Sequence, residues 1–184
     1  MTLMLRPATL ADIPAIQEIY AESVLNGVAT YELVPPDRAE MEARFRTITG
    51  LGYPYIVGVE DEKIAGYAYA SAFRTRAAYR FLVEDSIYIA PQFRGRGLGR
   101  MLLDRLVADC TALGFRQMVA VIGGAHPASI GVHRAAGFQS TGRMQATGWK
   151  FGRWLDTELM QLALGDGANA APAAGEYPDT LYRD

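Results

Sequence analysis

The sequence predicts a mixed α/β domain, one sheet of six to seven strands flanked by about four helices. Three observations point there: strand-like and helix-like segments alternate along the chain, residues 118–122 (MVAVI) form a continuous apolar run, and residues 94–99 (RGRGLG) link a strand to an amphipathic helix. A length of 184 residues suits one domain. With 50% hydrophobic residues, it can bury about two-thirds of its unfolded surface in one core.

Residues 3 to 7 read as a short first strand. Thr9-Leu10-Ala11-Asp12 has the spacing of a capping box in which Asp12 answers Thr9, and the helix that follows turns Ile13, Ile16, Ile19 and Tyr20 inward. Pro14 stands deep for a helix start, so an irregular first turn is expected. Pro35-Pro36-Asp37 ends a loop, and Asp37 with Glu40 opens a second helix reaching about Gly50. Residues 55 to 59 and 63 to 73 flank the polar turn Glu60-Asp61-Glu62 as a hairpin, and a third strand spans 81 to 90. The apolar run at 118–122 is a strand buried on both faces, expected at the centre of the sheet. A helix from about 127 to 136 closes at Gly137, and strands around 138 to 149 and 154 to 163 complete the order β-α-α-β-β-β-α-β-α-β-β. The domain is therefore set at 1–164. Residues 165–184, rich in Ala, Gly, Pro and Asp and without periodicity, read as a mobile tail.

The run 94–99 is where chemistry first shows. Ser86-Ile87-Tyr88-Ile89-Ala90, bounded by Pro91, forms the strand before it; Leu103, Leu106, Val107, Cys110 and Leu113 line one face of the helix after it. Glycines at a helix N-terminus expose unpaired N–H groups, the helix dipole favours negative charge, and missing Cβ atoms let an anion approach the backbone. A plain Gly/Arg turn would look the same on the glycines alone. A Walker loop would need Lys-Ser/Thr where Arg100 and Met101 follow Gly99, and a dinucleotide fingerprint would need glycine at Arg100 in a first βαβ unit. The pattern Arg/Gln-x-x-Gly-x-Gly/Ala, met by Arg94, Gly97 and Gly99, resembles the acetyl-CoA motif of the GCN5-related N-acetyltransferases, the GNAT superfamily.

A net charge of −2 argues against a general nucleic-acid surface, so these arginines read as a local anion site. One cysteine, Cys110, has no internal disulfide partner and lies on the apolar helix face; it reads as core, and a reducing cytoplasm is the natural compartment. No apolar stretch approaches the roughly 20 residues of a membrane span, and the N-terminal segment lacks a signal-peptide pattern. One Cys and two His offer no metal-ligand cluster.

Further segments, Glu84-Asp85-Ser86-Ile87-Tyr88, Ala120-Val121-Ile122-Gly123, Ser129-Ile130 and Gly152-Arg153-Trp154-Leu155-Asp156, resemble the phosphinothricin and methionine-sulfoximine N-acetyltransferases within that superfamily. The resemblance covers about 3 to 164 and implies a GNAT fold, a mostly antiparallel sheet whose central strands splay so that pantetheine enters as an extra strand. It implies backbone contacts to the cofactor at Ile87, Tyr88 and Ile89, and pyrophosphate contacts at Arg94, Gly95, Arg96, Gly97, Leu98, Gly99 and Arg100. The family commonly has Asn where His126 stands; His126 can hydrogen-bond the cofactor or cap the helix that follows.

The resemblance also places a catalytic glutamate at Glu84. An α-amine is mostly protonated at neutral pH and must lose a proton before attack; read alone, without the resemblance, Glu84 is a solvated strand-end charge. His133, where many GNAT members hold a tyrosine that protonates the CoA thiolate, is the second catalytic candidate, against a structural helical histidine. Arg74-Thr75-Arg76, with Glu84, Asp85 and Ser86, would contact the substrate: paired guanidinium groups suit carboxylates and phosphinates, against the reading of a charged loop. Tyr31, Phe73, Tyr79, Trp149 and Phe151 can wall a pocket or belong to the core, and Lys150 would face the site across a homodimer. The resulting expectation is a cytoplasmic, homodimeric enzyme that moves acetyl from acetyl-CoA to the α-amine of phosphinothricin, methionine sulfoximine or methionine sulfone, detoxifying it, without metal, membrane or nucleic acid. The alternatives are acetylation of a protein N-terminus or a polyamine, whose pocket would be lined by carboxylates rather than Arg74 and Arg76, and a non-catalytic CoA-binding sensor.

Overall fold

The computed structural model describes residues 3–182; the outermost positions of the expected domain 1–164 and tail 165–184 lie outside them. Among the described residues, seven strands form one sheet and four helices cover it. The strands are β1 (Met4–Pro7), β2 (Tyr55–Glu60), β3 (Lys63–Ala72), β4 (Leu82–Ile89), β5 (Gln117–Gly123), β6 (Gln139–Lys150) and β7 (Arg153–Ala163). The helices are α1 (Ile13–Asn26), α2 (Arg38–Gly50), α3 (Leu98–Ala112) and α4 (Pro127–Ala135). The sheet order is β1-β2-β3-β4-β5-β7-β6, so β4 is the middle strand and β5 lies beside it. All pairings are antiparallel except β4 with β5.

Local chemistry explains the helix starts. Asp12 accepts from the Thr9 N–H at 2.8 Å and the Thr9 hydroxyl at 3.0 Å, and it also holds Arg6 at 2.7 Å. Pro14 is accommodated as expected: Leu10–Asp12 form a 3₁₀ turn, and the α-helix begins only at Ile13. Asp37 caps α2 by accepting the Glu40 N–H at 2.8 Å.

Strand alternation builds two cores. β3 turns Ala68 and Ala70 towards α3, where Leu102, Leu103, Leu106 and Cys110 are fully buried, and turns Tyr67 towards α1 and α2, where Ile13, Ile16 and Phe45 pack. Burying about a dozen large side chains, each contributing roughly 1.5–3 kcal/mol, is the main source of stability. Cys110 is core, as its position on the helix face implies.

The feature that positions a site is the limited pairing of β4 with β5. Leu82, Val83 and Glu84 pair with Gln117, Met118 and Val119, and beyond Glu84 the two strands part. At the far edge, β6 is exposed along most of its length.

The end of the chain departs from the expected mobile extension. Its described residues, 165–182, form no helix or strand, but Tyr177 packs edge-on against Phe115 with ring centroids 5.6 Å apart, Leu181 is buried, and the Tyr182 and Tyr53 hydroxyls meet at 2.9 Å. A few large side chains seat this turn, and such sparse anchors leave no periodic signal.

Candidate active site

A cleft of about 810 Å³ opens where β4 and β5 part, floored by both strands and bounded by the 27–31 loop, the N-terminus of α3, and α4. Glu84, Ser86, Ile87, Ile89, His126 and His133 are among its lining residues.

The α3 end is shaped for an anion. Gly97, the N-cap of α3, has φ 84°, and Gly95 has φ 74°; a Cβ at either would meet no atom within 4 Å, so this side is open to a ligand. The arginines are already held: Arg94 by the Ile89 carbonyl at 3.0 Å and by Glu22, Arg96 by Glu60, and Arg100 by Asp104 at 2.7 Å and the Ala135 carbonyl. Arg96 does not line the cleft. The anion-binding groups of this loop are therefore chiefly backbone N–H groups.

Backbone direction separates the three expected cofactor contacts. The Ala90 N–H donates to the Ala65 carbonyl at 3.0 Å, and because backbone groups alternate sides along a strand, Tyr88 turns the same way, towards its partner Tyr67 on β3. Ile87 and Ile89 turn theirs into the gap. Tyr88 is thus corrected from a backbone contact to a wall residue, its ring 5.0 Å from Tyr20 in an edge contact.

Glu84 lies at the point of parting, on the α1/α2 face with Tyr69 and Ser86 nearby. Its side chain makes no hydrogen bond or ion pair among the described residues. Burial, then the neighbouring Asp85 charge, pushes its carboxyl up to about 7, with Arg74 pulling the other way.

Asp85 also lines the cleft, but its side chain faces the opposite side of the sheet from Glu84. Its Oδ2 lies 3.0 Å from His133 Nε2, and the two side chains are 2% and 5% exposed. The His133 Nδ1 lies 2.8 Å from the Ser129 carbonyl. Both ring nitrogens therefore meet acceptors, an arrangement satisfied by the imidazolium. Burial pulls the His133 value down, but the hydrogen bond and charge of Asp85, with Ser129, raise it above the ordinary imidazole range. His133 lines the cleft, as expected of a thiolate acid, but both its ring nitrogens are held by Asp85 and Ser129, and it ties α4 to β4.

Other placements are mixed. His126 stands at the N-cap of α4 without a side-chain capping bond, and it lines the cleft. Arg74, Thr75 and Arg76 are exposed on the turn after β3 and outside the cleft lining, although Arg74 is close enough to act on Glu84. Phe73 and Tyr79 pair at 6.2 Å on that turn, and Trp149 and Phe151 are exposed at the β6–β7 hairpin. Lys150 is buried within its own chain and donates to the Thr30 carbonyl at 2.9 Å. Of the five aromatics, Tyr31 alone lines the cleft. Its hydroxyl donates to the Asp156 carbonyl at 2.9 Å, accepts from the Gly124 N–H at 3.1 Å, and lies 2.8 Å from Thr157 Oγ1. The 28–31 loop is thereby pinned over the end of β5. These partners are far apart in sequence, and no local pattern announces them.

A family model for the acetyltransferase (GNAT) family matches residues 15–138. The chain belongs to this GNAT acetyltransferase family. It is 48% identical over 162 residues to the phosphinothricin N-acetyltransferase of Alcaligenes faecalis, covering 88% of this chain and 82% of that one. It is 40% identical over 173 residues to the L-methionine sulfoximine/L-methionine sulfone acetyltransferase of Pseudomonas aeruginosa, covering 94% and 100%. A crystal structure of a GNAT superfamily phosphinothricin acetyltransferase from Sinorhizobium meliloti in complex with AcCoA superposes with a TM-score of 0.99 at 64% identity, covering all of both chains. In GNAT terms, the expected motif Arg94-x-x-Gly97-x-Gly99 is the strand-to-helix turn at the α3 end of the cleft. Among the described residues no helix is long and apolar enough to cross a membrane, and no group of His, Cys, Asp and Glu side chains could hold a metal.

Proposed function

We propose that this GNAT enzyme transfers acetyl directly from acetyl-CoA to the α-amine of a small amino-acid analogue, of the phosphinothricin, methionine sulfoximine or methionine sulfone kind, and so detoxifies it. One observation carries the chemistry: Glu84, half-buried, with no side-chain hydrogen bond or ion pair among the described residues and raised to about 7, lies where the two central strands part. The printed activities of the relatives support the substrate class.

The cleft fits the donor. Gly95, Gly97 and the first N–H groups of α3 receive the pyrophosphate, and Ile87 and Ile89 offer backbone groups to pantetheine across the gap left by β5. When bound, acetyl-CoA supplies the thioester carbonyl. Glu84 accepts one proton from the substrate ammonium, directly or through one water; the freed nitrogen pair forms the C–N bond, the nitrogen gives up its second proton to water, and the C–S bond breaks with its electron pair leaving on sulfur. A carboxyl at about 7 is a stronger base than one at the usual 4.5, which narrows the gap to the amine. A thiol with an ordinary value near ~8.5 can leave as thiolate and be protonated by water. His133 holds β4 through Asp85 rather than moving that proton. Arg74 and Arg76 receive the acid groups of the acceptor. Much of the rate comes from holding both reactants in one cleft.

The same reading makes the enzyme a cytoplasmic homodimer. The exposed edge of β6 and the exposed Trp149, Phe151 and Trp154 support a protein interface at that end of the sheet. The test of function is thiol release from acetyl-CoA across phosphinothricin, methionine sulfoximine, methionine sulfone, ordinary amino acids and polyamines. Cys110 is buried with its thiol pushed up by burial, so it adds no background. Turnover concentrated on the analogues is expected; turnover only with polyamines would refute the substrate class.

A further inference from the structure

The connection from β3 to β4 carries Arg74 and Arg76, and most of residues 74–79 are exposed. Its internal bonds are few: the Tyr79 N–H donates to the Arg76 carbonyl at 2.8 Å and the Arg80 N–H to the Ala77 carbonyl at 3.2 Å. Among the described residues, the side-chain hydrogen bonds that tie residues 73–80 to another segment come from Arg80. Its Nε and Nη2 donate to Asp179 Oδ1 at 2.9 and 2.6 Å, while its Nη1 donates to the Ala77 carbonyl at 2.7 Å. One guanidinium thus joins the turn that follows Arg76 to the C-terminal segment.

That segment is itself anchored. Asp179 Oδ2 accepts the Gly175 N–H at 2.8 Å, which closes the turn around the carboxylate. Tyr177 packs on Phe115 and lies over Gly52, where a Cβ would come within 3.3 Å of its ring, and Leu181 is buried. The Arg80 and Asp179 side chains are 26% and 12% exposed, so the pair is partly shielded from solvent and salt.

We infer that Asp179 is a positioning residue for the acceptor site: through Arg80, the C-terminal turn holds the β3–β4 connection in the place from which Arg74 and Arg76 meet the acid groups of the substrate. The inference rests on the assignment of those two arginines made above. The aromatic anchors fix Asp179, Asp179 fixes the Arg80 fork, and the fork fixes the connection just before β4 and Glu84 begin.

The experiment is steady-state kinetics on the full-length chain with D179A, D179N, R74A and the double variant D179A/R74A, each measured well below its own unfolding midpoint. Loss of a charge-assisted pair on a positioning path predicts an acceptor KM raised about tenfold in D179A, and less in D179N, which keeps an acceptor oxygen. The KM for acetyl-CoA should stay within about twofold, because the α3 end of the cleft is separate from this turn. In the R74A background, D179A should add little, since its effect runs through the arginine. A D179A acceptor KM unchanged from wild type, while R74A raises it, would overturn the inference and leave the arginine assignment standing. Equal rises in both KM values would also overturn it, as general loosening. If R74A and R76A leave the acceptor KM unchanged, the arginine assignment fails, and the inference fails with it.

Discussion

The buried pair between His133 and Asp85 sets a quantitative expectation. His133→Phe keeps an aromatic ring able to pack edge-on with Phe138, as the imidazole does at 5.1 Å, but removes both ring nitrogens. Among the described residues Asp85 Oδ1 has no hydrogen-bond partner, so the variant leaves a carboxylate with neither oxygen bonded to them, on a side chain 2% exposed. Removing one member of a buried pair costs about 3–5 kcal/mol. For a domain of this size, that is roughly 6–20 °C in Tm. Asp85→Asn is milder: the ring becomes neutral, Nδ1–H still donates to Ser129, and Nε2 accepts from the amide, so the loss should be about 1–2 kcal/mol. The sign with pH follows from the raised His133 value. Stability from such a group is fully present below the unfolded imidazole value near ~6.5 and is lost as pH rises through the folded one. The gap between wild type and D85N should therefore be widest below the ordinary imidazole value near ~6.5 and narrow as pH rises above it. Urea denaturation followed by circular dichroism across that range measures it. H133F within about 1 kcal/mol of wild type, or a gap that widens with pH, would refute the buried ion pair.

Two further variants probe opposite ends of the cleft. Gly97→Ala places a side chain at φ 84°, a strain of about 1–2 kcal/mol, and puts its methyl group into the open anion face; the KM for acetyl-CoA should rise while the acceptor KM stays near wild type, as initial-rate kinetics would show. Gly123→Ala would bring a Cβ within 2.4 Å of the Val28 carbonyl, a backbone atom that cannot swing aside. It should cost about 1–3 kcal/mol in thermal unfolding and displace the Tyr31 loop from the cleft, weakening acceptor use.

Short-range chemistry was legible in the sequence. The Thr9–Asp12 box and the Asp37 cap lie within single helical turns, and the run 94–99 announces its strand-to-helix turn through residue identity alone. What the sequence did not disclose was long in range or directional. Glu84 and Asp85 are neighbours in the chain, yet strand alternation sends one to the cleft's α1/α2 side and the other to His133 on α4. The roles of Tyr31, Lys150 and Asp179 depend on partners on other elements, reached only after the chain has closed. The C-terminal turn leaves no local signal for the same reason: its Ala, Gly and Pro content resembles a linker, and its docking rests on a handful of side chains.

The central claim is that Glu84 is the base. The direct measurement is the pH dependence of kcat/KM for the acceptor in wild type and E84Q. Because the carboxylate form accepts the proton, wild-type activity should fall about tenfold per pH unit below an inflection near 7. E84Q should lose that inflection and about 10²–10⁴-fold in rate. An E84Q enzyme within about tenfold of wild type, or one that keeps the inflection, would contradict the account.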